Sequence, residues 1–217
     1  VTVKGRTYLV NSPESLLFRL AGPCGPSAPP ALGPAQAYVT DITDERRPRS
    51  VARLALQIND PAHCDAQAQS GVDASTHYTD TVQDGGATFT MAAMWHAGLR
   101  LFDMRDPARP REVGYFNPGA AGRYLDQAYS HMRYRPELGQ IWLTTWQGGF
   151  WVLELEPRLR QQLGLPARAT LHPEGAPAQG QVVPKPASAN SLPLLAARFV
   201  CGVGSSSGAA AIAHHGA

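Results

Sequence analysis

Charge is scarce in this sequence. Asp, Glu, Lys and Arg make up 17% of its 217 residues, against about 25% in an average globular protein. That poverty argues against a long-helix bundle or coiled coil. The two signs nearly cancel, 19 basic against 17 acidic residues, so there is no electrostatic footprint for nucleic acid. Lysine occurs only at Lys4 and Lys185. No apolar run approaches the roughly 18 residues of a membrane span. Cysteine is limited to Cys24, Cys64 and Cys201, with no Cys-x-x-Cys pair, which argues against a structural zinc site. Gly-Lys-Ser/Thr phosphate loops are absent, and no Gly-x-Gly-x-x-Gly follows a strand. The one Gly-x-Ser-x-Gly match is Gly204–Gly208, and no Asp or Glu follows Ser206. A nucleophile elbow needs a later acid, so this stretch reads as a flexible tail.

What is present is an ordinary hydrophobic fraction of 43%, with 21 Gly and 19 Pro. Such a chain folds, and it is rich in turns. It opens in a strand-like run, Thr2–Val10, and so reads as a processed or truncated piece. The strongest signal is an internal repeat. Asp41, Asp44, Pro48 and Val51 recur at an offset of 62 as Asp103, Asp106, Pro110 and Val113. Each unit reads as an apolar strand ending in Asp, a turn and a second strand. The turn chemistry is sound, because Asp accepts backbone N–H bonds and Pro presets φ. A second offset, 51, relates Trp95, Gly98, Leu101 and Asp103 to Trp146, Gly149, Val152 and Glu154. Both stretches read as hairpins with a Gly turn.

Repeats of 50 to 60 residues built from four short strands predict an all-β fold of propeller blades. The blades are expected over about residues 1–57, 76–116 and 128–155. In the second, strands are expected at 76–82, 87–95, 98–104 and 111–116. The third shows three strands and no clear fourth. A short helix is predicted over 157–165, with Pro157 in its first turn and Gly164 at its end. Residues 166–217 form a Pro/Ala/Gly-rich irregular arm and tail, within which 191–203 could supply one more strand.

Gly98-Leu99-Arg100-Leu101-Phe102-Asp103-Met104-Arg105-Asp106-Pro107, with Pro110-Arg111-Glu112-Val113 after it, closely resembles the LVIVD repeat of bacterial secreted β-propellers. Residues 37–54 resemble it more loosely, and Gly149–Leu155 match its first half. The resemblance covers about residues 1–156 and implies an exported, cell-surface or periplasmic bacterial protein. It carries no catalytic residues over. A closed propeller has roughly four to eight blades, so three imply an incomplete ring. Missing upstream blades, or other protein chains, would complete it.

The function expected from this is binding, as a protein-interaction scaffold or a subunit of a larger assembly. The Pro/Ala arm would suit docking along a neighbour. The alternatives are a metal-dependent enzyme and a glycan-binding module. His77 and His131 precede or open the innermost strands of consecutive blades. They are the candidate ligands for a divalent transition metal, with Asp80 or Asp126 as a base. The bland reading is histidines bonded between blades. Asp41, Asp103 and Glu154 recur at one blade position. They could ring a channel, but an Asp that ends a strand is more simply a turn acceptor. Trp146 and Trp151 flank a Gly turn and could stack on sugar; otherwise they pack between blades. Arg46, Arg47 and Arg109 fall in the same inter-strand turn of the repeat. They form a solvated basic rim, or a surface for an anionic glycan or partner. Cys24 and Cys64 lie in loop-like stretches and pair if the protein is exported; in a reducing compartment they remain two thiols. No resident cofactor is otherwise expected.

Overall fold

The structure is a computed structural model. It describes residues 1–12, 36–57, 74–117, 120–121, 124–125, 128–146, 148–167 and 197–203. Cys24, Cys64, Asp126, Ser206 and most of the Pro/Ala/Gly arm lie outside the described residues.

The described residues form three four-stranded antiparallel sheets, each an open meander. The first contains β1 (Thr2–Val3), β2 (Arg6–Asn11), β3 (Ala37–Asp41) and β4 (Arg49–Leu54). The second contains β5 (Tyr78–Asp84), β6 (Ala87–Ala93), β7 (Leu99–Asp103) and β8 (Arg111–Phe116). All four strands expected there are present, with ends moved by two residues at most. A two-residue ladder, β9 (Ala120–Ala121) with β10 (Tyr124–Leu125), precedes the third sheet. That sheet contains β11 (Ala128–Arg135), β12 (Gln140–Thr145), β13 (Gly149–Leu155) and β14 (Ala197–Val203). β14 falls within 191–203, where one more strand is expected, and it supplies the fourth strand of the third sheet. The free edge of β13 needs backbone partners, and Arg198-Phe199-Val200 has the residue types a strand accepts.

The repeat is reproduced in hydrogen-bond register. Asp41 sits opposite Arg49, and Asp103 sits opposite Arg111. Glu154 sits opposite Arg198. The ladder slips at Val39/Thr40, at Leu101/Phe102 and at Val152/Leu153. These are the same place in all three sheets. A bulge there bends the last strand away from its neighbour.

The sheets stack face to face. Along β7, Leu99 and Leu101 point toward the third sheet, where they join Phe89, Met91, Ile141, Leu143 and Leu153. Phe102 points the other way and packs with Val39, Leu54, Met94 and Met104 against the first sheet. Both faces of the middle sheet are thus covered, and all seven residues of β6 are buried. Burying each large aliphatic or Phe side chain contributes roughly 1.5–3 kcal/mol. β5 and β11, the first strands of the second and third sheets, lie side by side, and β5 also touches β2, the second strand of the first sheet.

The helix α1 (Pro157–Leu163) begins on Pro and ends at Gly164, whose φ of 80° accepts the left-handed cap. It buries Leu159 and Leu163 in the core shared by the second and third sheets. Arg160 is buried with them and donates from Nη2 to the carbonyl of Pro166 at 2.6 Å.

Candidate functional site

The recurrent acids are built into turns. Asp41 ends β3, and its Oδ1 accepts the Thr43 N–H at 3.0 Å. Its Oδ2 accepts Arg6 Nε at 3.0 Å and pairs with Arg6 Nη2. Those hydrogen bonds, Arg6 first, hold the Asp41 carboxyl down to about 2. Asp103 repeats the arrangement. Its Oδ1 accepts the Arg105 N–H at 3.0 Å, and its Oδ2 accepts Arg105 Nη2 at 2.6 Å and Arg111 Nη2 at 3.2 Å. Burial pushes Asp103 up, but the hydrogen bonds and charge of Arg105 together with the hydrogen bond of Arg111 more than offset it, and the carboxyl ends below its ordinary value. The turns match to the residue. Asp44 accepts the Arg46 N–H at 3.1 Å, and Asp106 accepts the Ala108 N–H at 3.3 Å. Glu154, the third of the series, is buried on β13.

The histidines meet through aromatic rings. His77 stacks on Trp95, with centroids 4.6 Å apart and planes 30° apart, and meets Tyr78 edge-on at 4.3 Å. Tyr78 in turn contacts His131 at 4.0 Å. The local chain brings this about. The His77 N–H donates to the Ala93 carbonyl at 2.8 Å, beside the turn that carries Trp95. Trp95 then bridges to Ala128, the first residue of β11. The four rings therefore form a string across the junction of the second and third sheets. Asp80 lies beside it. Burial raises its carboxyl above the ordinary value, while Arg133 at 3.8 Å and His131 pull it back. Among the described residues, no three His, Cys, Asp or Glu side chains gather closely enough to hold a metal ion. Tyr78 touches both imidazoles, so the cluster serves packing at the junction of the second and third sheets.

The tryptophans separate by exposure. Trp146 is 59% exposed. Trp151 is half-buried against Phe116, with centroids 5.2 Å apart, and its Nε1 donates to Thr145 Oγ1 at 3.0 Å. It belongs to the packing between sheets, and Trp146 is the ring that faces solvent.

The arginines divide similarly. Arg46 and Arg47 are exposed in the β3–β4 turn. Arg109 occupies the matching β7–β8 turn and lines a cleft of about 410 Å³ with Lys4, Asp103, Arg105, Asp106 and Arg111. Arg105 and Arg111 are committed to Asp103, and Arg105 also donates to the Gln162 carbonyl on α1 at 2.9 Å. Lys4, held at φ 49° in the β1–β2 turn, and Arg109 provide the cleft's remaining cations. Lys4 escaped the sequence reading because its turn belongs to a different repeat unit from Arg109. Tyr78 and Trp95 were visible as neighbours of His77 and of the Gly turn, but no spacing signalled that they would touch.

No family model matches this chain, and no curated protein is significantly similar to it.

Proposed function

We propose that the three sheets are blades of an LVIVD-type β-propeller, and that the protein works by binding, as an exported or cell-surface bacterial scaffold within a larger assembly. The observation that carries this reading is the threefold recurrence of one bulged hairpin with an acid opposite an arginine. The contact between β5 and β11, the first strands of the second and third sheets, supports a radial fan, because blades approach one another most closely along their innermost strands. In the two units where the hydrogen bonds are described, the recurrent carboxylates are consumed by turn amides and arginines. That use supports a structural role for them.

Lys4 and Arg109 in the cleft, with Arg46 and Arg47 on the matching turn, support an anionic partner such as an acidic protein surface or a sulfated glycan. The test is retention of the full chain on a sulfated polysaccharide column at low salt. The variant R46Q/R47Q/R109Q should elute at clearly lower salt, since exposed cations act through screened attraction. Equal elution overturns the anionic-partner reading. One transition-metal ion per chain, lost in His77→Ala and His131→Ala, would overturn the scaffold reading in favour of an enzyme. Exposed Trp146 supports a second reading, glycan stacking. It predicts that Trp146→Ala abolishes glycan binding while circular dichroism still reports a folded chain.

A further inference from the structure

Stacked repeats leave two end faces, and here they carry opposite halves of one interface that the chain already builds twice. We infer that a second copy of this chain covers both ends, head to tail, closing a two-chain ring of six sheets; the inference rests on the blade reading above.

The argument runs through equivalent positions. On the face of the first sheet that meets the second, β2 and β3 contribute Val10, Ala37 and Val39. On the face of the second that meets the third, Met91, Leu99 and Leu101 occupy the same register positions. The third sheet places Trp142, Phe150 and Val152 there. Leu99, Leu101 and Val39 are fully buried. Their equivalents Phe150 and Val152 are only half-buried, as are Trp142 and Thr144 beside them. Trp142 and Phe150 meet edge to face at 5.9 Å, and Arg135 lies 4.3 Å over the Trp142 ring. This is a large apolar surface, and among the described residues no further sheet lies on it.

The opposite end presents the other half. Phe102 of the second sheet and Leu153 of the third each insert into the preceding sheet. Their equivalent in the first sheet is Thr40, flanked by Leu9, which is 50% exposed, and by Tyr38. Each chain therefore offers one face of each kind. A face that pairs with a different face of an identical chain makes a heterologous contact, which closes into a ring when the rotation allows. The three four-stranded sheets among the described residues give six in a dimer, inside the usual range of about four to eight blades, whereas a trimer would exceed it.

The experiment is light scattering and native mass measurement on the full 217-residue chain. The wild type is expected at twice the chain mass. Phe150→Asp and Leu9→Asp, on opposite ends, should each raise the dimer dissociation constant about 30-fold or more, as for a buried anchor residue. Mixed one to one, the two variants should recover dimers, because each mixed pair retains one intact contact. Circular dichroism reports whether each variant folds. Where one does not, Thr144→Arg and Thr40→Arg test the same two faces from half-buried polar positions. A monomeric wild type overturns the inference. So does a dimer that Leu9→Asp leaves intact, since that dimer would pair the Trp142 face with itself. The blade reading fails separately, on a solved structure in which β5 and β11 do not flank a common axis.

Discussion

Gly98 and Gly149 stand at the same place in consecutive repeats, and replacing each with Ala should have very different consequences. Both adopt left-handed backbone, with φ of 79° and 83°. A Cβ in that region costs about 1–2 kcal/mol through its clash with the local carbonyl. At Gly149 that is the whole cost, since no described atom comes within 4 Å of an added Cβ. At Gly98 the added Cβ would lie 2.3 Å from the Phe116 carbonyl oxygen and 3.0 Å from Asn117 Cα. Both are backbone atoms on the exit from β8, so no rotamer change can relieve the contact. The hairpin would have to open at the Leu99–Phe116 pair, and the Met94 N–H to Gly98 carbonyl bond of 2.8 Å would strain with it. Overpacking of this kind adds about 1–3 kcal/mol. We therefore expect Gly98→Ala to cost about 3 kcal/mol or more, and Gly149→Ala about 1–2 kcal/mol. Urea titration followed by circular dichroism reads the difference, provided the slope is unchanged. Equal midpoints for the two variants would refute the argument from close backbone approach.

Other consequences follow from the same contacts. Asp41 is held near 2 in the folded chain, below its unfolded value of about 3.9. Its contribution is therefore complete above about pH 4 and lost as pH falls from 4 toward 2; Asp41→Asn should flatten the acid-unfolding curve in that window. Phe89→Ala should cost about 3–5 kcal/mol, because its ring is fully buried edge-on to Tyr134 with centroids 5.4 Å apart; a thermal shift of a degree or two would contradict that. Tyr134→Phe removes the phenol that donates to Asp84 Oδ2 at 3.1 Å across the second and third sheets. It should destabilise by about 1–2 kcal/mol, with a matching loss in Asp84→Ala, and additive losses in the double variant would show that the bond contributes nothing.

The middle of the fold was the most legible part. Asp103 with its turn, and Leu99 and Leu101 before it, announce a strand, a stop and a return. The hairpin closes locally, so short-range chemistry decides it. The first unit was readable because Asp41 and Arg49 keep the spacing of Asp103 and Arg111. The third was readable only in its first half. Its last strand, Ala197–Val203, is separated from Glu154 by a long Pro- and Ala-rich insertion. A pattern defined by spacing has no power across such a gap, even though Arg198 occupies the position that Arg49 and Arg111 predict.

The site was less legible than the fold, and the reason is physical. Spacing along a strand reports which face a residue shares, but it carries no information on what the facing sheet presents there. His77 and His131 could be assigned to equivalent edges, yet whether a metal ion or a ring lies beside them depends on Tyr78 and Trp95. Those two residues arrive from a side-chain direction and from a turn with φ of 38° at Trp95. The tryptophans make the same point. Trp151 and Trp146 flank one turn and look alike in sequence, but Trp151 packs on Phe116 of the neighbouring sheet and Trp146 is largely exposed. The rule that orders them is the alternation of strand faces read together with the direction of stacking. That rule assigns Leu153 to the filled interface and Phe150 to the open one. It makes the half-buried ring of Phe150 the counterpart of Leu99, which the neighbouring sheet covers completely.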